Sequence, residues 1–97
     1  MAYDPGAIEA ALAAAVGDDP SLIAELRIAF VESAQAALAA MEASEDVAGW
    51  TIAAHRLQGL AASFGAVRLM VMAAEAAKVT PGDPATIRKL TRAVARL

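Results

Sequence analysis

Three Asp-Pro pairs divide this chain of 97 residues into segments: Asp4-Pro5, Asp19-Pro20 and Asp83-Pro84. An aspartate just before a helix accepts hydrogen bonds from the first backbone N–H groups, and proline favours the first helical position. Asp46, which precedes Val47, offers a fourth start without a proline. The sequence therefore predicts that helices begin near residues 5, 20, 47 and 84.

Apolar residues recur at steps of three and four after each start, as on one face of a helix. In the second segment, for example, Phe30, Ala34, Ala37 and Met41 form such a stripe. Glycines at 17 and 65 are predicted helix stops, and a Thr-Pro-Gly turn follows residue 79. The predicted helices run from about Pro5 to Val16, from about Pro20 to Ala43, from near Val47 to near Phe64, from Ala66 to about Val79, and onward from Pro84.

The composition favours closely packed helices over sheet. Apolar residues make up 59% of the chain and aromatic residues 4%, and alanine, the best helix former, is the commonest residue. Helices joined by short connections pack as antiparallel neighbours. We therefore expect an all-α fold, with residues 1–97 as one domain. Helices two to five are expected to form an up-down four-helix bundle, with helix one as an additional short N-terminal helix.

Charge and composition argue against several functions. The net charge is −3, whereas nucleic-acid binding normally needs a basic face. The one basic run lies near the C-terminus, and it is explained as a solvated face with cations near a helix C-terminus. With no cysteine and one histidine, neither a disulfide nor a multi-histidine metal site is expected. No apolar run is long enough to span a bilayer and the N-terminus lacks the basic region of a signal peptide, so we expect a cytoplasmic protein with no membrane partner.

The single histidine, His55, falls on the predicted third helix and follows the buried stripe position Ala54, so it should point away from the core. Gly59 lies one turn later, where a glycine costs about 1 kcal/mol relative to alanine. Helical side chains lean toward the N-terminus, so a side chain at 59 would lean over the imidazole, and glycine leaves that space open for a phosphoryl donor. Neutral imidazole is a nucleophile. Helix packing remains the alternative explanation for Gly59, and an ordinary surface residue the alternative for His55.

The stretch from His55 to Leu69 resembles the signature of histidine-phosphotransfer (HPt) domains. That family has the histidine, an apolar residue two positions later, a basic residue at three, glycine at four, then small residues, Gly-Ala at ten and eleven, and leucine at fourteen. The predicted helices and the place of the histidine on the third helix also fit the family. The matching residues are His55, Leu57, Gly59, Ala61, Ala62, Gly65, Ala66 and Leu69.

The resemblance implies a histidine-containing phosphotransfer protein in a two-component phosphorelay. His55 would relay a phosphoryl group between the aspartates of receiver domains, and Gly59 would let the receiver approach. The implied partners are response-regulator receiver domains and a hybrid histidine kinase. The chain itself needs no cofactor, because the receiver would hold the Mg²⁺ ion. The docking surface around the histidine would include Ile52, Ala62 and two residues of helix one taken as exposed, Ile8 and Leu12.

Two positions depart from the family pattern. Gln58 stands where the family has a basic residue, so it can donate a hydrogen bond but supplies no charge to phosphoryl oxygens. Arg56 is a candidate supplier of that charge from a neighbouring position, and Arg68 is another. Ala77 occupies a place where some members have a polar residue that hydrogen-bonds the histidine.

Two other functions stay open at this point. The chain could be an HPt-like interaction module that binds a receiver or kinase without being phosphorylated, and the missing basic residue favours this alternative. It could also be a structural adaptor, in which His55 and Gly59 would be freely replaceable. An autonomous enzyme is not expected, since there is no glycine-rich nucleotide loop and no nucleophile–base pair. Five helices can close a bundle within one chain, so we expect a monomer.

Overall fold

The structure of the chain, a computed structural model, describes residues 5–17 and 19–97, and all of their side chains except those of residues 5–9 and 16. These residues form five α-helices and no strand. The all-α class predicted from the sequence is confirmed. The helices are α1 (Pro5–Val16), α2 (Pro20–Ala43), α3 (Val47–Ser63), α4 (Val67–Ala76) and α5 (Pro84–Ala95).

Aspartate caps fix the beginnings of three helices. The carboxylates of Asp19, Asp46 and Asp83 accept backbone N–H groups from the first turns of α2, α3 and α5, with N–O distances of 2.9, 2.7 and 3.0 Å. Each cap satisfies donors that a helix leaves without an intrahelical partner. Three of the four predicted starts are thereby explained by side-chain hydrogen bonds, while Asp4 lies outside the described residues.

Helix α3 ends because Gly65 takes a left-handed conformation, with a φ of +73°. The N–H of Ala66 then donates to the carbonyl of Ala61 at 2.9 Å, and the N–H of Gly65 donates to the carbonyl of Ala62 at 3.3 Å. This pair of reversed hydrogen bonds is the Schellman ending of a helix, and it favours glycine because other residues are strained at this φ. The chain turns within three residues and enters α4.

Helix α4 is shorter than predicted. The sequence placed it from Ala66 to about Val79, whereas it spans Val67–Ala76. From Lys78 onward the hydrogen bonds run three residues back instead of four, as from the N–H of Val79 to the carbonyl of Ala76 at 3.1 Å, so the last turn tightens. Pro81 then disfavours a helical conformation at the residue before it.

Contacts between opposite ends of neighbouring helices show that the chain runs up and down. Phe30 in the first half of α2 stacks on Phe64 at the end of α3, with ring centroids 4.5 Å apart. Trp50 at the beginning of α3 donates its indole N–H to the carbonyl of Ala76 at the end of α4, at 2.8 Å. Helix α3 is therefore antiparallel to both α2 and α4.

The last helix closes the bundle. Arg27 near the beginning of α2 donates from Nη2 to the carbonyl of Leu97, just beyond the end of α5, at 2.8 Å, so α5 is antiparallel to α2. Helix α5 also packs on α4, so the helices form a ring in the order α2, α3, α4, α5. Helix α1 packs on α2 as the additional helix. This is the four-helix bundle expected from the sequence.

A few large side chains and many alanines make the core. Burial of one large apolar side chain stabilises the fold by about 1.5–3 kcal/mol, and the small residues let helices approach closely. Every described buried side-chain polar atom has a hydrogen-bond partner. None of the described helices has both the length and the apolar character needed to cross a membrane. The largest fully buried side chains are Trp50, Phe30, Leu12, Met41, Leu57 and Leu90.

Candidate functional site

Helix α3 has one buried face and one exposed face, and His55 lies on the exposed one. Its buried residues pack against α2 and α4, the two neighbours of α3 in the ring. At about 100° per residue, the buried side chains centre on a direction opposite to Gly59. The exposed face carries Ala48, Ile52, His55, Arg56, Gly59, Ala62 and Ser63.

His55 lies near the middle of α3, and its side chain is exposed. It forms no hydrogen bond or ion pair with any residue that the structure describes. Rigid helical backbone therefore positions the imidazole while both ring nitrogens remain open to solvent or to a partner. The prediction that His55 points away from the core is correct.

Gly59 is the nearest exposed position in the next turn of the helix. It is offset from His55 by about 40° around the axis and about 6 Å along it. A Cβ atom built on Gly59 would have no described heavy atom within 4 Å beyond its chain neighbours and its own helix backbone. Among the residues that the structure describes, tight helix packing, the alternative explanation for this glycine, therefore does not account for it. Fold stability alone would favour alanine here.

The two polar neighbours of His55 lie on opposite sides of it. Arg56 is exposed, whereas Gln58 is half-buried, and the two positions are about 160° apart around the helix. Arg56 therefore cannot occupy the place that Gln58 holds beside the histidine. Arg68 lines a groove between α4 and α5, and His55 is not among the residues that line this groove. Ala77, half-buried just beyond α4, has a methyl side chain that cannot hydrogen-bond the imidazole.

The predicted docking residues divide into two groups. Ile52 is 69% exposed one turn before His55, and Ala62 is exposed on the same face two turns after it. Leu12 is 0% exposed, so its predicted place on a docking surface is wrong: the α1 stripe position packs into the core instead of facing outward. The side chain of Ile8 lies outside the described residues.

Among the residues that the structure describes, His55 does not line either of the two best-formed pockets. The groove of about 470 Å³ between α4 and α5 does not include His55, and neither does a smaller cavity on α2. No group of three or more potential metal ligands occurs among the described residues. An exposed nucleophile on a convex helix face fits a reaction partner that brings its own active site. Comparisons with protein-family models, with curated proteins and with solved structures find no significant match.

Sequence reasoning took the basic run near the C-terminus for a solvated helix face and missed the groove between α4 and α5. Lys89 and Arg92 line it from α5, Arg96 lines it from just beyond the end of α5, and Arg68 lines it from α4. The steps of three and four between the α5 cations were a signal of one helix face. Which face meets a neighbouring helix follows only from the packing of the bundle.

Proposed function

We propose that the chain is a histidine-phosphotransfer domain in which His55 relays a phosphoryl group between receiver-domain aspartates. The observation that carries this proposal is the exposed pair formed by His55 and Gly59. The imidazole stands on the outer face of α3, and the glycine one turn away has no packing role among the described residues. A nucleophile beside bare backbone is the arrangement that a bulky protein donor needs.

In this reaction the chain mainly has to position the imidazole of His55. An unprotonated ring nitrogen of His55 attacks the phosphorus of an aspartyl phosphate in line with the leaving carboxylate oxygen. The P–N bond forms as the P–O bond to the aspartate breaks, and the carboxylate leaves with the electron pair. In the return step an aspartate of a second receiver attacks phosphorus and the P–N bond breaks. The receiver supplies the Mg²⁺ that neutralises the phosphoryl oxygens.

Docking would place the receiver over the exposed face of α3. Ile52 and Ala62 lie before and after His55 on that face and offer apolar contact without a pocket. Gln58 would donate a hydrogen bond to a phosphoryl oxygen, and Arg56 would contribute charge from the other side. In this proposal the domain acts as a monomer in the cytoplasm, with receiver domains and a hybrid histidine kinase as partners.

The test uses a small phosphoryl donor first and a protein partner second. Phosphoramidate needs no docking surface, so it should label the wild type once, at an acid-labile position seen by intact mass and phosphorus NMR. His55→Gln should take no label, because the chain has one histidine. Purified receiver domains should then remove the label. Failure of every receiver in a broad panel to discharge the labelled protein would count against the proposal.

A relocated histidine provides the matched control. In the double variant His55→Gln/Ile52→His, an imidazole stands one turn earlier on the same exposed face, away from Gly59. Phosphoramidate should still label it, while receivers should discharge it poorly. If receivers remove the label equally well from the wild type and from the double variant, neither Gly59 nor the position of the histidine matters for transfer.

The alternative is an interaction module that binds a receiver or kinase without being phosphorylated. The uncharged Gln58 beside the histidine favours it, since no cation occupies the position where phosphoryl oxygens would be held. Under this alternative, His55→Gln keeps full receiver binding and full signalling activity. Under the phosphotransfer proposal it keeps binding and loses signalling, so one variant separates the two.

A further inference from the structure

The groove between α4 and α5 combines an apolar floor with a basic rim. Leu69, Met72 and Leu90 contribute to the floor, and a groove of about 470 Å³ lies above them. Lys89, at a step of three from Arg92, begins a row of cations along one border. An apolar floor between charged borders is the complement of an amphipathic helix.

The cations of the chain are concentrated at this groove. Four of the eight Lys and Arg residues line it, and its single anionic side chain is Glu75. Counted over side chains alone, four cations and one anion give the lining a formal charge of +3, while the side chains of the whole chain sum to −3. The groove is thus a local positive surface on an acidic protein, and it attracts negative partners at short range.

The cations contributed by α5 and its C-terminal end are spaced along the helix axis. Lys89, Arg92 and Arg96 follow one another at steps of three and four, so they extend about 10 Å along one side of α5. Because α4 is antiparallel to α5, Arg68 near the beginning of α4 lies at the same end of the groove as Arg96. A linear partner with several carboxylates can lie along the whole row formed by Lys89, Arg92 and Arg96, whereas one small anion reaches only part of it.

We propose that this groove docks an acidic amphipathic helix of a partner protein. Apolar side chains of that helix would cover Met72 and its neighbours, and its glutamates or aspartates would lie along the α5 row. The half-open shape suits a helix, because small-molecule sites enclose most of their ligand. A nucleic acid fits less well, since the rest of this chain repels a polyanion and the floor offers apolar surface to it.

This site is separate from the histidine face. Helix α5 packs on α2 and α4 and lies diagonally across the bundle from α3, which carries His55. A helix bound between α4 and α5 would leave the exposed face of α3 free. The groove could therefore tether one protein while a second protein reacts at His55, and the inference does not depend on phosphotransfer being correct.

The test measures binding of a designed peptide to the folded protein. The probe is a dye-labelled amphipathic peptide of about 20 residues, above the length at which isolated helices are marginal in water, with leucines on one face and glutamates on both borders. Its control has the same composition in scrambled order. We expect saturable binding by fluorescence anisotropy that weakens as salt is raised, and weaker binding of the scrambled peptide. His55→Gln should bind the peptide as the wild type does.

Charge reversals on α5 locate the site. Arg92→Glu and Arg96→Glu should each weaken binding about tenfold. The matched control is Arg88→Glu, which makes the same charge change on the same helix at a residue that does not line the groove. It should change affinity by less than about twofold. Circular dichroism would verify that each variant keeps its helical content.

Three results would overturn the proposal. If the peptide shows no saturable binding at concentrations up to about 1 mM, its affinity is too low for the proposed docking. Equal weakening by Arg88→Glu and Arg92→Glu would show attraction by overall charge instead of a groove. An oligonucleotide of the same charge that binds as tightly, with the same dependence on Arg92 and Arg96, would identify a nucleic acid as the occupant.

Discussion

Replacement of Gly59 by alanine tests whether this glycine lowers the stability of the fold and is needed for transfer. Alanine in mid-helix is more favourable than glycine by about 1 kcal/mol, through helix propensity and through lower entropy of the unfolded chain. The added Cβ would have no described heavy atom within 4 Å outside its own helix backbone and chain neighbours, so no steric cost reduces this gain. We expect the free energy of unfolding to rise by about 1 kcal/mol and the Tm to rise by about 4–8 °C.

The same methyl group should slow transfer from a receiver. It leans toward the N-terminus of α3, into the space over the imidazole of His55. A misplacement of the donor by about 1 Å can cost about a hundredfold in rate. We expect receiver-dependent transfer to fall at least about tenfold, equivalent to about 1.4 kcal/mol of barrier. Labelling by phosphoramidate, a much smaller donor, should change less than about twofold.

The second glycine of α3 supplies the matched control. A Cβ on Gly49 would lie 3.0 Å from Oδ1 of Asp46 and 3.1 Å from Oγ of Ser44, so alanine there crowds the N-terminal cap. Gly49→Ala should gain less stability than Gly59→Ala and leave transfer unchanged. Thermal unfolding by circular dichroism and transfer from a labelled receiver measure both effects. A Gly59→Ala variant that is more stable and transfers at the wild-type rate would refute the role of Gly59 in donor approach.

Three further predictions address the core, a helix cap and the departure from the family pattern. Trp50→Phe should lower the free energy of unfolding by about 2 kcal/mol, because it shrinks a fully buried side chain and removes the indole donor to the carbonyl of Ala76; a loss below about 0.5 kcal/mol in urea unfolding would contradict this. Hydrogen bonds from Thr86 hold the pKa of Asp83 below its ordinary value of 3.8. The charged cap therefore stabilises the fold above that pH, and this contribution is lost as the pH falls through the lower folded pKa. Asp83→Asn still caps the helix but does not titrate, so its Tm should fall less than that of the wild type as the pH is lowered. Equal falls in Tm would argue against a stabilising effect of the charged cap. Gln58→Lys should transfer from a receiver at least as fast as the wild type, since it adds a cation beside the phosphoryl oxygens; a large loss of rate would contradict the proposed site.

Helix positions could be predicted from the sequence wherever local chemistry decides them. The bounds of α2, Pro20–Ala43, follow from the Asp19 cap, from proline at the first helical position and from a long apolar stripe. The end of α3 follows from Gly65, whose left-handed φ few other residues tolerate. Because these signals act within a few residues of the chain, they need no knowledge of tertiary packing.

Features that depend on neighbouring helices could not be predicted in the same way. An apolar stripe on the short helix α1 did not reveal that Leu12 enters the core instead of a docking surface, since both places accept leucine. The α4–α5 groove arises where two helices meet, so no single segment encodes it. The exposure of Gly59 to open space was also not predictable, because a glycine can equally be required by a close helix contact.

The structure separates the HPt-like signature into residues that the fold needs and residues that it does not. Leu57, Ala61 and Leu69 are core residues, and Gly65 ends α3, so any helical bundle of this shape would favour them. Their match to the family therefore says little about signalling. His55 and Gly59 are both exposed. His55 forms no hydrogen bond or ion pair with a described residue, and the glycine costs stability without meeting a described neighbour. The functional meaning of the resemblance thus rests on these two residues, and a replacement at either one tests function with little effect on the core.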